Sequence, residues 1–165
     1  MTLRWFDLEP HERGFIGLGI GLVVANWLGN FTARLLPMSV AFWASALLTL
    51  TLGLFAAWPL YRDLFLQWRR IRWSAWLLFA VAVVIFTLIG RGLGMLDDFQ
   101  NLPLSSLMAT GDIPPHFPGS PDTRFGYHYF LILLSVQFMR VASSAPWTPL
   151  NLGRALSLTL YMVFT

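Results

Sequence analysis

The sequence contains no cysteine and no lysine. Without cysteine the chain has no disulfide, no thiolate nucleophile and no cysteine-bound zinc. All eleven basic side chains are arginines, and they are scattered among tryptophans and leucines rather than gathered into a surface for nucleic acid. The isoelectric point near 10.0 is therefore no evidence for a nucleic-acid partner, and we expect none.

Charge is also scarce, because only 12% of the residues are charged while 56% are hydrophobic and the mean hydropathy is +0.62. This composition excludes an ordinary soluble globule. Three long runs, 14–36, 38–61 and 73–90, contain only one charged residue, Arg34, and each has the length of ~17–25 residues that crosses a bilayer. We predict an all-α, polytopic integral membrane protein with these runs as its first three spans.

Two further apolar runs are too short to cross a bilayer by themselves. Residues 125–145 reach span length only if a helix continues past Arg140 to the residue before Pro146, and we predict this as a fourth span. Residues 155–165 are helical in pattern, but at ~1.5 Å per residue they cover roughly half of a ~30 Å hydrocarbon core. We predict a fifth span cut short, so that residues 1–165 form one membrane domain in the N-terminal part of a longer protein; a short interfacial helix is the alternative.

The arginines predict the orientation of the spans. The connection between the second and third spans is the most basic in the chain and should be cytoplasmic; it contains Arg62, Arg69, Arg70 and Arg72. The N-terminus is then cytoplasmic and the loop 91–124 lies outside, whereas Arg140 and Arg154 return to the cytoplasmic face. We expect the inner (plasma) membrane of a bacterium.

The outer loop 91–124 contains four of the eight acidic residues. Asp97 and Asp98 directly follow the third span, and because adjacent residues point in different directions on a helix, at most one of them faces any given site. Both could instead cap the next helix. That helix is predicted to be short, amphipathic and parallel to the membrane surface, ending near Gly111. A proline-rich, extended path follows as far as Asp122.

Four other ionisable residues of the loop are candidate ligand-binding groups. Arg91 and Arg124 can bind phosphate through bidentate hydrogen bonds or serve only as interfacial anchors. His116 lies within the proline-rich path, and His128 lies among the aromatic residues that open the next run. The histidine spacing matches no zinc motif, whereas a carboxylate-bound Mg²⁺ or Mn²⁺ stays possible.

Several of these features occur together in one segment, about residues 74–140. An Asp-Asp pair follows a span, then come a short amphipathic helix, the turn Gly-Asp-Ile-Pro-Pro over 111–115 and the aromatic-histidine segment Tyr-His-Tyr-Phe over 127–130. This arrangement resembles the first large external loop of the type C glycosyltransferase superfamily, whose members are polytopic membrane enzymes that use lipid-phosphate-linked sugars. The chain differs from the commoner pattern in having two extra spans before the loop, and Asp-Asp where Asp-Glu is frequent.

The resemblance implies that an acidic residue of this loop is catalytic, and the corresponding positions are Asp97 and, in second place, Asp98. It implies a polyprenyl-phosphate-linked sugar as donor, and membrane lipid as the surroundings of the site. Such a donor already has a leaving group, so the enzyme mainly deprotonates an acceptor hydroxyl and holds the departing phosphate. The phosphate-binding candidates are then Arg91, Arg124, His128 and His116.

Two other function classes stay open from the sequence, and the oligomeric state is also open. A transporter or flippase-like subunit would carry charged residues in mid-span and unwound helices at the midplane, whereas these runs have almost no charge there. A non-catalytic structural subunit would use the outer loop to dock a partner, and Asp97 would then be replaceable without loss.

Overall fold

The computed structural model describes residues 8–93, 98–117, 119–125 and 129–164, without the side chains of residues 60, 63, 64, 68, 93, 98 and 164. Most of the described chain is helical. The elements in chain order are α1 (Pro10–Thr32), α2 (Met38–Ala57), a 3-10 turn (Trp58–Leu60), α3 (Tyr61–Trp68), α4 (Trp73–Leu93), α5 (Asp98–Thr110), β1 (His116–Phe117), β2 (Ser120–Arg124), α6 (Phe130–Ala142) and α7 (Trp147–Phe164).

Three helices are long and apolar enough to cross a membrane, and they correspond to the first three predicted runs: Pro10–Thr32, Met38–Ala57 and Trp73–Gly92. Within their most apolar windows only 17%, 17% and 11% of the residues are buried inside the protein. Large apolar side chains therefore point outward, which is expected when the surroundings are lipid rather than water. The chain is accordingly a helical membrane protein.

One end of the molecule joins the start of α1 to the arginine-rich connection. Pro10 occupies the first turn of α1, and Glu9 and Glu12 form a reciprocal capping box around it. Arg13 donates a hydrogen bond to the Gln67 side chain at 3.0 Å, and the Arg72 guanidinium lies 3.5 Å from the Glu9 carboxylate. We call this the basic end.

The opposite end, which we call the loop end, has its own hydrophobic core. Helices α5 and α6 pack there against the end of α1 and the beginning of α2. The core comprises Ala33, Met38, Ala41, Phe42, Leu104, Met108, Ala109, Ile113, Ile132, Leu133 and Val136. Burial of these side chains supplies the hydrophobic free energy that folds the segment between α4 and α7 onto the helices.

Helix α5 agrees with the prediction of a short helix that ends at Gly111, where φ is +114°. Only part of its apolar surface is buried. Leu104 and Met108 are completely buried, whereas Phe99 is 80% exposed. Only one side of α5 packs against other helices, so apolar side chains on its other side stay exposed.

The proline-rich path after α5 forms a two-stranded antiparallel hairpin, β1–β2, with an irregular register next to Phe117. The sequence predicted an extended, turn-rich path but no strand pairing, so this hairpin is an addition to the all-α description. Prolines in the path limit pairing to a short edge ladder, which explains why the strands are brief.

The predicted fourth span over 125–145 contains a shorter described helix. Helix α6 covers only Phe130–Ala142 and ends at Ser143, whose φ is 48°. Its 13 residues rise only about 20 Å, which is short of a ~30 Å hydrocarbon core. Arg140, which the sequence assigns to the face opposite the loop, contacts the loop segment itself, since its guanidinium donates to the carbonyl oxygen of Ala109 in α5.

Helix α7 begins at Trp147 rather than at residue 155, and its 18 residues rise about 27 Å. The polar residues Asn151 and Arg154 interrupted the apolar pattern in the sequence, but Asn151 is buried against Gly90 of α4. Towards the other end, Leu160 shares a cluster with Phe79 and Phe15. Helix α7 thus runs antiparallel to α4 and returns from the loop end towards the basic end.

Candidate functional site

The candidate site lies on the segment between α4 and α7. The segment is anchored by Ile113, which belongs to the loop-end core, and by Pro115, which is almost completely buried. The backbone N–H of Phe125 donates to the carbonyl oxygen of Pro115 at 2.7 Å and closes the hairpin. The polar side chains of the hairpin are therefore mounted on packed backbone, which favours a defined geometry.

A carboxylate–imidazole pair occupies the beginning of this hairpin. The Asp112 carboxylate accepts the backbone N–H of His116 at 2.7 Å, and its second oxygen lies 2.6 Å from Nδ1 of the same histidine. The side chains are 22% and 36% exposed respectively. A carboxylate that fixes Nδ1 sets the ring orientation and leaves Nε2 for a ligand or a proton.

Asp112 was not among the predicted site residues. The available signal was its place four residues before His116, with Pro114 and Pro115 between them. Aspartates commonly accept backbone N–H groups in turns of this kind, and the turn brings the imidazole back to the carboxylate. The pairing depends on the local path of the backbone, which spacing alone did not define.

The hairpin register brings His116 and Arg124, two of the four predicted ligand-binding residues, opposite each other on neighbouring strands. Arg124 is exposed. Arg91, a third, is an exposed residue in the last turn of α4, and no described contact connects it to the hairpin. His128, the fourth, lies outside the described residues.

The two predicted catalytic carboxylates cannot be compared with this geometry. Asp97 lies outside the described residues. Asp98 is the first residue of α5, and the structure describes its backbone only. Their assignment stays a prediction, as does the possible Mg²⁺ or Mn²⁺. Among the described residues there is no group of three or more histidine or acidic side chains that could hold a metal ion.

A second polar cluster attaches α6 to α1, and the sequence did not predict it. The Asn26 amide donates to the carbonyl oxygen of Phe130 at 2.6 Å and accepts from Gln137 at 3.3 Å. The Tyr129 hydroxyl donates to Asn30 at 2.9 Å. Hydrogen bonding of these groups to each other avoids the cost of leaving buried polar atoms unpaired, and it fixes the segment before α7 against a membrane-length helix.

Comparison with known proteins identifies no relative: no family model, no curated protein and no solved structure matches this chain.

Proposed function

We propose that the protein is a membrane glycosyltransferase that moves a sugar from a polyprenyl-phosphate donor to an acceptor on the outer face of the membrane. The observation that carries the proposal is the compact loop end. There, a polar segment with a half-buried Asp112–His116 pair is packed directly onto the ends of apolar, membrane-length helices. A lipid-linked sugar presents its phosphate and its sugar at this depth, between hydrocarbon and water.

The topology supports an outward loop end. Helix α6 is too short to cross, and α7 runs back beside α4, so we assign α1, α2, α4 and α7 as the four crossings. The two ends of the segment between α4 and α7 then lie on one side, and the arginine-rich connection before α4 lies on the other. Basic connections stay cytoplasmic, which puts the loop outside.

In this reaction the acceptor oxygen attacks the anomeric carbon of the sugar, and the bond from that carbon to the phosphate oxygen breaks. The polyprenyl phosphate departs with the bonding electrons. We assign Asp97 as the base that takes the acceptor's proton and Asp98 as its support or as a ligand of a divalent cation. Arginine and histidine side chains of the loop would hold the phosphate.

The alternative of a transporter has less support. Transporter sites use broken helices near the membrane midplane, whereas α1, α2 and α4 each run without interruption over membrane length. The ionisable residues of α1 and α4 lie in the end turns and α2 has none, which favours chemistry at the surface over passage through the centre; Arg154, near the middle of α7, is the exception among the four assigned crossings.

The test is sugar transfer from a polyprenyl-phosphate donor by the full-length protein and by its Asp97→Asn and Asp98→Asn variants. Loss of a general base lowers the rate by about 10²–10⁴-fold, and we expect a loss of that size for Asp97→Asn. Asp122→Asn, which alters another acidic residue of the same loop, is the control and should stay active. Full activity in both the Asp97 and the Asp98 variants would refute the assignment.

A further inference from the structure

We propose that His116 and Arg124 together form a phosphate clamp and that Asp112 is the positioning residue that holds the imidazole in place. The choice of phosphate, rather than another anion, rests on the proposed function. The clamp itself rests on the geometry of the hairpin.

His116 and Arg124 lie opposite each other, as register partners in the antiparallel pair β1–β2. The hydrogen bond from Phe125 N–H to the Pro115 carbonyl oxygen joins the residues just outside them, which makes the two a non-hydrogen-bonded pair. In such pairs the Cα atoms are only about 4.5 Å apart, and the side chains stand on the same face. The register therefore places the imidazole and the guanidinium on the same face of the hairpin, next to the irregularity at Phe117.

The Asp112–His116 pair leaves one nitrogen of the imidazole ring for a ligand. Both carboxylate oxygens of Asp112 are engaged by His116, one by its backbone N–H and the other by Nδ1. The ring is thereby fixed, and Nε2 is its remaining nitrogen. In the part of the chain that the structure describes, Arg124 makes no ion pair, so its guanidinium donors are available beside Nε2.

The chemistry of the hairpin favours an anionic ligand. Arg124 is a permanent cation, and because Nδ1 faces Asp112, Nε2 is an N–H donor towards a ligand when the ring carries both protons. An anion between the two side chains would pair with the guanidinium and accept from Nε2. A phosphate monoester offers several acceptor oxygens, which suit the planar fork of arginine together with a single imidazole N–H.

The backbone before the hairpin is closely packed. The turn begins at Gly111, whose φ is +114° and where an added Cβ atom would lie 3.2 Å from Cγ of Met38 in the loop-end core. Ile113 and Pro115 are buried on either side of the cis Ile113–Pro114 peptide bond. A clamp mounted on packed backbone loses little freedom when it binds its ligand.

The experiment measures the affinity of the full-length protein, in nanodiscs of zwitterionic phosphatidylcholine, for dodecyl phosphate and for inorganic phosphate. Loss of a charge-assisted hydrogen bond weakens binding roughly 10–100-fold, and we expect that loss for His116→Gln, Arg124→Gln and Asp112→Asn. Asp122→Asn, on the same hairpin, is the matched control and should bind at least as tightly as the wild type.

Tighter binding of dodecyl phosphate than of inorganic phosphate would identify a lipid phosphate as the ligand, and equal binding would identify free phosphate. Both results support the clamp. An affinity for dodecyl phosphate that is unchanged in His116→Gln and Arg124→Gln would overturn it, as would failure of the wild type to bind either probe.

A double-mutant cycle separates positioning from a merely structural role of Asp112. Asparagine can still accept the backbone N–H of His116, so Asp112→Asn should unfold at an unchanged temperature. If Asp112 acts through the imidazole, adding Asp112→Asn to His116→Gln will weaken phosphate binding no further. Additive losses would contradict the positioning role.

The outcomes also distinguish this inference from the proposed function. Phosphate binding that depends on the clamp residues, in a protein that transfers no sugar, would refute the transferase and leave the clamp. Sugar transfer together with phosphate binding that ignores His116 and Arg124 would refute the clamp alone.

Discussion

At the scale of the residue, Tyr129 connects the loop end to α1 through its hydroxyl group. The hydroxyl donates to Asn30 at 2.9 Å and receives a bond from Arg34 at 3.4 Å. Removing it in Tyr129→Phe should lower the free energy of unfolding by about 1 kcal/mol. Thermal unfolding in detergent measures the change, with Tyr61→Phe as control because Tyr61 is exposed and its hydroxyl accepts from the adjacent Arg62. Equal stability of the two variants would contradict this role.

The sequence identified functional residues where local sequence is sufficient, and it missed the contacts that depend on the fold. His116 and Arg124 were recognised as candidate ligand-binding groups, because ionisable side chains in a loop at a membrane boundary stand out. Their pairing was missed, since it depends on strand register. The contact of Arg140 with α5 was also missed, because counting arginines treats each one as free, whereas this side chain donates to the carbonyl oxygen of Ala109 in the last turn of α5.

At the scale of the element, Gly153 controls the approach of α7 to α6. A Cβ atom at this position would lie 2.8 Å from Oγ of the buried Ser135, so Gly153→Ala should destabilise the protein by about 1–3 kcal/mol through overpacking. Gly17→Ala is the matched control, since a Cβ atom there meets nothing within 4 Å. Alanine at that helical position should be neutral or stabilising by up to about 1 kcal/mol. Thermal unfolding of the two variants distinguishes them, and equal stability would be evidence against this packing.

The sequence predicted a helix well where hydrophobicity alone determines its position and length. Helices α1, α2 and α4 are apolar on all sides and have membrane length, so composition suffices to define them. The bounds of α6 and α7 differ from the predicted runs, because there the helix boundaries depend on tertiary contacts. Asn26 and Gln137 hold α6 at the loop end, and the apparent polar interruption at Asn151 is accommodated against Gly90.

At the scale of the whole molecule, the account predicts that the hairpin and the end of α6 lie on one side of the membrane and the arginine-rich connection on the other. The native sequence has no cysteine, so single cysteines can be introduced directly at Thr123, Ser143 and Arg69. An impermeant maleimide should label Thr123→Cys and Ser143→Cys from the same side, and Arg69→Cys only from the opposite side. Labelling of Ser143→Cys and Arg69→Cys from one side would show that α6 crosses the membrane.

The most direct test of the central claim is sugar transfer by the full-length protein in sealed vesicles of known orientation. The polyprenyl-phosphate-linked sugar and its acceptor are supplied to one face at a time, and transfer is measured with a radiolabelled sugar. The account predicts transfer only when donor and acceptor meet the face that carries the loop between α4 and α7. Absence of transfer from either face, or transfer from the face of the arginine-rich connection, would contradict it.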